Sequence, residues 1–167
     1  LTALPNRRAF EQALEEMVAA SRRADDRGAL CFIDLDHFKA VNDTAGHAAG
    51  DALLRTVADL IRQRLRAEDI VCRIGGDEFA MILRGCTSAD AYRIADGLCE
   101  AVRELRFMWE GREFRIGASI GFAIIDGTME SVAEVLHAAD HACYAVKREG
   151  RGRVMEYVPE PPASSAG

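Results

Sequence analysis

Hydrophobic residues recur along the chain at two spacings, and their alternation predicts helices interleaved with strands. Apolar residues three or four positions apart are typical of the buried face of a helix. This spacing predicts a first helix that opens at Pro5-Asn6, turns Phe10 and Leu14 inward and ends before Gly28. The same spacing predicts three further helices, around residues 53–65, 89–105 and 132–150.

Short continuous apolar runs predict the strands of a sheet. The run at residues 29–33 is apolar throughout, which favours a strand covered on both faces. Runs at 70–74 and 79–83 flank Gly75-Gly76-Asp77-Glu78, a pattern typical of a tight antiparallel hairpin. Other strands are predicted near residues 107–109 and 114–125, with an edge strand at 154–158. The predicted fold class is therefore α/β, with a central mixed β-sheet flanked by helices.

Composition is consistent with one folded domain. The 167 residues are 49% hydrophobic and 29% charged, enough for a sizeable core and unlike a disordered, collagen-like or disulfide-stapled chain. No apolar run approaches the roughly 20 residues that span a bilayer, so we expect no membrane segment. The net charge of −6 argues against a DNA-binding protein. We expect one domain over residues 1–157 and a disordered, proline-rich tail over residues 158–167.

Cysteine usage and the first residue bear on cellular context. The five cysteines are scattered and form no CxxC pair, which favours reduced thiols and a cytoplasmic location for this domain, with a membrane-anchored full-length protein as an open alternative. The chain opens at Leu1 without a signal-peptide pattern. We therefore expect a piece of a longer protein.

Acidic residues follow the predicted buried strand and occupy the predicted hairpin. Asp34 comes directly after the strand, and Asp77 and Glu78 lie in the turn. Carboxylates held rigidly at neighbouring strand ends make a hard-oxygen site for Mg²⁺. Gly75 and Gly76 would let the backbone adopt positive φ and approach a ligand with no Cβ in the way. Ordinary strand-end capping and an ordinary glycine turn remain the alternatives.

The motifs resemble the GGDEF family, the diguanylate cyclases. Residues 75–79 are the five-letter signature GGDEF itself. Similar blocks extend from residue 1 to about 157 in the family's order: residues 1–8, 34–39, 41–43, 46–51, 119–121 and 139–151. The resemblance implies a palm-like nucleotidyl-cyclase fold that binds one GTP. Two such domains, in a transient homodimer, would join two GTP into cyclic di-GMP and release two pyrophosphates.

The resemblance also implies roles at the metal. Asp34, the Leu35 carbonyl, Asp77 and Glu78 would hold Mg²⁺, with Mn²⁺ as an alternative ion. Asp77 and Glu78 would be the catalytic acids, and Asp77 would accept the proton of the ribose 3′-hydroxyl, although metal ligand and base are hard to separate.

Further positions match the family's nucleotide contacts. Asn42 and Asp51 would hydrogen-bond the guanine edge, and His47, one helical turn from Asp51, would contact the nucleotide or only bond locally at a helix start. The backbone at Gly75 and Gly76 would approach the substrate. Three cations would neutralise the triphosphate: Lys39, Lys147 and Arg151. Lys147 and Arg151 are spaced i, i+4, so stabilisation of a helix C-terminus is the alternative for that pair.

Arg66 and Asp69 match the family's RxxD inhibitory site, at which the product cyclic di-GMP would bind as a feedback inhibitor. The alternative is a surface arginine that closes a helix. Many relatives add an arginine on the next helix, where this chain has Gly97, and Arg93 lies one turn earlier. An upstream regulatory domain is the further partner implied.

Three functional readings differ in class. The leading hypothesis is an active diguanylate cyclase. The second is a catalytically silent GGDEF domain that binds GTP or cyclic di-GMP as a sensor, and the third is a dimerising module active only in the full-length protein.

His137 and His141 are spaced i, i+4, a spacing that can bind a metal. No third ligand is apparent in the sequence, so a structural role is favoured.

Overall fold

A computed structural model describes residues 7–23 and 26–159. The predicted helix start at Pro5-Asn6 and the tail from residue 160 onward lie outside these residues. The central sheet has five strands, in the spatial order β2-β3-β1-β6-β7. Their bounds are β1 Gly28–Asp36, β2 Ile70–Gly75, β3 Glu78–Arg84, β6 Gly117–Ile125 and β7 Val154–Glu156.

The sheet is mixed, as predicted. Antiparallel pairs join β2 to β3, β3 to β1 and β1 to β6, whereas the edge strand β7 runs parallel to β6. A separate two-stranded hairpin consists of β4 Phe107–Trp109 and β5 Arg112–Phe114. Strand β1 is the centre of the sheet, and its residues are buried at eight of nine positions.

Helices cover both faces of the sheet. They are α1 Arg7–Arg23, α2 Phe38–Ala45, α3 His47–Arg64, α4 Ser88–Glu104 and α5 Val132–Arg148. Helix α4 begins with a capping box, in which Thr87 and Asp90 bond each other's backbone N–H groups. Ser131 caps α5 by accepting a hydrogen bond from the Glu134 N–H.

Two apolar cores lie on opposite faces of the sheet. Alternate residues of β1, such as Cys31 and Ile33, pack against α3 and α4, whereas Leu30 packs against α1 and α5. Successive side chains of a strand point to opposite faces, so a centrally placed strand must be apolar throughout. Asp34 and Asp36 lie on the same face as Leu30, at the end of β1 that leads into α2.

The structure corrects two sequence predictions. Strand β1 continues through Asp36 instead of ending at Ile33, so Asp34 is a strand residue paired on both sides. Residues 114–125 do not form one strand, because β5 ends at Phe114 and belongs to the separate hairpin. Among the described residues, no helix is both long and apolar enough to cross a membrane.

Candidate functional site

Two carboxylates face each other across neighbouring strands. Asp34 of β1 is directly opposite Glu78 of β3 in the antiparallel register. Residues opposite each other in such a pair project to the same face of the sheet. Both line a cavity of about 220 Å³ between the sheet and α5, together with Asp140, Tyr144 and Lys147.

Lys147 pairs with Asp34. The ammonium of Lys147, in the last turn of α5, donates a hydrogen bond to the Asp34 carboxylate, whose side chain is 12% exposed. Partial burial, followed by the nearby Arg151 guanidinium, lowers the pKa of Lys147. The Lys147 ammonium therefore pairs with the carboxylate that the sequence predicted as a metal ligand.

The hairpin turn presents backbone and carboxylate to solvent. Gly76 adopts φ +40°, whereas Gly75 does not have positive φ, so only one glycine meets the conformational expectation. A Cβ at either glycine would point into open space. Asp77 is half-buried in the turn, and its carbonyl accepts a 3.1 Å hydrogen bond from the Leu35 N–H. N–H and C=O of one strand residue project from the same edge, so the Leu35 carbonyl also faces the hairpin.

The oxygen atoms of these groups suit a hard divalent cation, although the side chains alone do not complete a coordination shell. Asp34 and Glu78 offer carboxylate oxygens and Leu35 offers its carbonyl, which are the ligand types that Mg²⁺ prefers. Asp77 does not line the cavity shared by the other two acids. Within the described ranges, no group of three or more His, Cys, Asp or Glu side chains is arranged to hold a metal.

Asp36 is a buried carboxylate with no role predicted from the sequence. The Ser119 hydroxyl donates to it, 2.9 Å from each of its oxygens. The Gly152 N–H lies 3.1 Å from Oδ2, and the Arg151 Nη1 lies 3.6 Å from Oδ1. Gly117, opposite Asp36 in the register, leaves room for the carboxylate. The pairing of β1 with β6 brings Ser119 and Gly117 to Asp36, and the segment between α5 and β7 brings Arg151 and Gly152.

Arg151 does not lie on α5, contrary to the expected i, i+4 helical pair with Lys147. The helix ends at Arg148, and Gly150, Arg151 and Gly152 all have positive φ, of 111°, 65° and 64°. The Arg151 N–H bonds back to the Val146 carbonyl at 3.0 Å. Two flanking glycines therefore let the chain leave the helix sharply, and helix-dipole stabilisation explains only Lys147.

Asn42 and Asp51 lie on the adjoining helices α2 and α3. The Asn42 Oδ1 is buried and has no hydrogen-bond partner among the described residues. It lies against Gly50, where a Cβ would come within 1.8 Å of it. Gly50 is thus a site residue that the sequence did not explain. Asp51 is half-buried, whereas Lys39 and His47 are exposed at the starts of their helices.

Arg66 and Asp69 form one closed pair. The Arg66 Nε and Nη2 each lie 3.2 Å from an Asp69 oxygen, and the Arg66 and Arg84 N–H groups also donate to this carboxylate. The Asp69 side chain is 1% exposed, whereas that of Arg66 is 46% exposed. The hydrogen bonds with Asp69 raise the pKa of Arg66. The pair therefore has a structural function whatever else it binds.

The His137 and His141 rings are 6.4 Å apart and tilted, and His141 stacks edge-on against Tyr157. No metal-binding group forms around them in the part of the chain described here.

The structure thus gathers the predicted site into three parts. Asp34, Glu78 and Lys147 line the cavity. Asn42 lies on α2 and Asp51 on α3. Arg66 and Asp69 lie beside Arg84, at the far end of β3. Four residues that contribute to the site had no assigned role in the sequence: Asp36, Gly50, Ser119 and Asp140. Asp140 was detectable, since it is seven residues before Lys147 on the same helical face.

Known proteins resemble this chain over nearly its whole length. Residues 1–153 match the family described as "Diguanylate cyclase, GGDEF domain". "Probable diguanylate cyclase DgcE" of Escherichia coli (strain K12) is 49% identical over 164 residues, which cover 98% of this chain and 15% of that protein. The chain spans between 15% and 35% of the length of the first curated relatives it matches.

Solved structures agree in fold. The GGDEF domain of PA1120 (YfiN or TpbB) from Pseudomonas aeruginosa matches with a TM-score of 0.88 and 39% identity, covering 95% of this chain and 99% of that one. The GGDEF domain of DgcB from Caulobacter crescentus, solved in complex with c-di-GMP, has a TM-score of 0.88 and 33% identity, covering 93% and 92%. These matches confirm the expected palm-like fold. The chain therefore belongs to the GGDEF family of diguanylate cyclase domains.

Proposed function

We propose that this domain is one half of a diguanylate cyclase. Two copies, each holding one GTP, face each other and make cyclic di-GMP. The observation that carries the proposal is the carboxylate pair Asp34 and Glu78, opposite each other beside the Gly75-Gly76 turn. Membership of the family and its curated cyclases support the same activity.

Asp34, Glu78, the Leu35 carbonyl and, after a rotation of its side chain, Asp77 would hold Mg²⁺ or Mn²⁺. Such an ion supplies Lewis-acid stabilisation of the charge on the α-phosphate. The partly buried position of Asp34 favours tight binding, because few waters compete for the carboxylate.

Asp77 takes the proton in the condensation step. The 3′-oxygen of one ribose bonds to the α-phosphorus of the partner's GTP, and the bond from that phosphorus to the bridging β-oxygen breaks. Pyrophosphate leaves, and the hydroxyl proton passes to the Asp77 carboxylate. A second such step closes the ring. The location of Asp77 in an exposed turn supports access from a facing subunit.

Other residues bind the nucleotide. Asn42 and Asp51 recognise guanine, and the unpartnered Asn42 Oδ1 is a group that a guanine N–H would satisfy. His47 contacts the nucleotide beside Asp51. Lys39, Lys147 and Arg151 neutralise the triphosphate. Lys147 must leave Asp34 to do so, which couples its movement to the arrival of the metal.

The domain acts within a longer protein. The chain matches a minor fraction of each of its first curated relatives, which supports a longer protein. The further domain proposed here lies upstream and controls pairing. In dilute solution the isolated domain would therefore be slow, because each active site needs the facing copy.

The test is product formation by a dimerised protein. The domain is fused to a dimerising coiled coil and incubated with GTP and Mg²⁺, and cyclic di-GMP is measured by chromatography. We expect product from the fusion, and a rate for the unfused domain that rises with the square of its concentration. Asp77→Asn should abolish product without loss of fold, whereas Asp59→Asn, which alters a 66% exposed carboxylate on α3, should not.

The main alternative predicts another result. If the dimerised domain binds GTP or cyclic di-GMP but forms no product, the domain is a sensor and the cyclase proposal is wrong. Full activity of Asp77→Asn would refute only the role of that residue.

Product feedback at Arg66 and Asp69 is a second part of the proposal. The exposed guanidinium of Arg66 is held rigidly by Asp69, which leaves it suited to bind a phosphate or guanine acceptor. The family's additional arginine is replaced by Gly97. The Arg64 Nη1 lies 3.3 Å from the point that a Gly97 Cβ would occupy, so Arg64 supplies a cation in that place.

Inhibition curves test this feedback. Arg66→Ala should raise the cyclic di-GMP concentration for half inhibition roughly tenfold or more, as loss of a charge-assisted contact implies. Because Arg66→Ala also removes a partner of the buried Asp69, its melting temperature must be measured alongside. Arg64→Ala alters an exposed side chain and should raise the same concentration to a smaller extent. Unchanged inhibition in both variants would remove the feedback site.

A further inference from the structure

Asp36 is more enclosed than its neighbour Asp34 on the same strand face, and the proposed mechanism leaves it unused. Its side chain is 3% exposed, and it accepts hydrogen bonds from the Ser119 hydroxyl and the Gly152 N–H. A buried carboxylate is retained only where donors compensate for its lost hydration. These donors belong to β6 and to the loop after α5, so Asp36 ties that loop to the centre of the sheet.

The loop that Asp36 holds is conformationally unfavourable. Gly150, Arg151 and Gly152 have three consecutive positive φ angles, and Arg151 is the one that is not glycine. A left-handed residue with a Cβ costs about 1 kcal/mol or more, and persists only where its surroundings enforce it. The Gly152 N–H also donates to the Ser119 hydroxyl at 3.1 Å, so two acceptors hold one amide.

The orientation of the Arg151 side chain depends on the same carboxylate, Asp36. Its Nη1 lies 3.6 Å from the Asp36 Oδ1, while its side chain remains 53% exposed. The guanidinium is thus held at one edge and open at the other. Its positive charge also lies close enough to Lys147 to lower the pKa of that ammonium.

We propose that Asp36 is a positioning residue: it fixes the Gly150–Gly152 loop so that Arg151 points its free guanidinium edge at the β- and γ-phosphates of the nucleotide. It acts through Arg151 and not as a metal ligand, because its oxygens are already taken by Ser119, Gly152 and Arg151. The inference rests on the proposed function, since it presumes that a guanosine triphosphate occupies the site.

A double-mutant cycle tests the positioning role of Asp36 through the affinity of a GTP analogue, with no measurement of activity. Calorimetry would measure the affinity of a non-hydrolysable GTP analogue, with Mg²⁺, for the wild-type domain, Asp36→Asn, Arg151→Ala and the double variant. We expect each single variant to bind roughly tenfold more weakly, the effect of one charge-assisted contact. The double variant should be no weaker than Arg151→Ala, because Asp36 acts through Arg151. Independent, multiplying losses would overturn the inference.

Two further readouts separate positioning from general damage. Guanosine monophosphate lacks the β- and γ-phosphates, so its affinity should be the same for wild type and Asp36→Asn, whereas a disrupted fold would weaken both ligands. Mn²⁺ binding without nucleotide, followed by electron paramagnetic resonance, should fall in Asp34→Asn and not in Asp36→Asn. An equal fall in both would make Asp36 a metal ligand and overturn the inference.

Ser119→Ala is a second variant that tests the inference if Asp36→Asn does not fold. It removes one donor to Asp36 and leaves the charge, so it should weaken analogue binding in the same direction as Asp36→Asn but less. No change in analogue affinity in Ser119→Ala together with an unfolded Asp36→Asn would overturn the inference. A wild-type domain that binds no GTP analogue would contradict the proposed function as well.

Discussion

Lys147 pairs with Asp34, the carboxylate that we propose as a metal ligand. The ion pair with Asp34 neutralises a partly buried charge, which would otherwise repel the other acids of the cavity. On the proposed function, a divalent cation would have to displace this ammonium to reach Asp34. The same lysine would then be available to the phosphates, so one side chain would oppose metal binding and favour nucleotide binding.

Replacement of Lys147 should therefore have opposite effects on two ligands. We expect Lys147→Met to bind Mn²⁺ roughly fivefold more tightly without nucleotide, about 1 kcal/mol, because the competing ammonium is gone. The same variant should bind the GTP analogue more weakly. Electron paramagnetic resonance and calorimetry measure the two affinities.

Arg148→Met is the matched control, because Arg148 lies on the next position of α5 and stacks on Tyr144 instead of Asp34. It should change neither affinity appreciably. Weaker Mn²⁺ binding by Lys147→Met would contradict the competition between lysine and metal.

At the scale of elements, the contact between α5 and β6 places Lys147 over the site. Gly121 of β6 permits this contact, since a Cβ there would lie 2.0 Å from the Cys143 nitrogen and 2.5 Å from the Ala142 carbonyl carbon. Both obstacles are backbone atoms of α5, which cannot move without moving the helix.

Gly121→Ala should thus destabilise the fold by about 1–3 kcal/mol, the usual cost of overpacking, and weaken GTP-analogue binding by shifting Lys147. Urea unfolding and calorimetry measure the two effects. Gly75→Ala is the comparison, because its Cβ meets nothing within 4 Å and should change the free energy of unfolding by less than about 0.5 kcal/mol. Equal stability of wild type and Gly121→Ala would show that α5 does not depend on this contact.

At the scale of the whole molecule, all five cysteines are buried free thiols. Burial raises the pKa of Cys99 and Cys143 from the ordinary 9.0 to about 12, and that of Cys86 to about 11. The folded protein therefore keeps these thiols protonated at pH values where the unfolded chain ionises them.

Stability should fall as the pH rises above about 9. There the unfolded state binds fewer protons than the folded state, and each such thiol lowers the free energy of unfolding by up to about 1.4 kcal/mol per pH unit. Urea unfolding at pH 8 and pH 10 measures the loss, and Cys143→Ala should show a smaller loss than wild type. Identical losses in the two proteins would contradict a contribution from Cys143.

The sequence alone predicted most elements because they are locally encoded. The apolar run of β1 and the helical spacing of α1, α4 and α5 are properties of neighbouring residues. The hairpin between β2 and β3 was equally predictable, because its turn lies within the Gly75-Gly76 motif. The motif order also identified the family, whereas the nucleotide-binding positions that it implies stay predictions. The end of β1 and the division of residues 114–125 could not be predicted, since strand pairing decides where a strand stops.

Only the tertiary structure decided which charged groups meet. Asp34 and Asp36 are two residues apart on one strand face, yet Asp34 pairs with the Lys147 ammonium of α5 and Asp36 with Ser119, Gly152 and Arg151. The sequence predicted that Asp34 follows a buried strand, and only strand pairing placed both carboxylates within β1. Their partners come from segments more than 80 residues away in the chain. Such contacts depend on how strands and helices pack, and a local pattern carries no information about that packing.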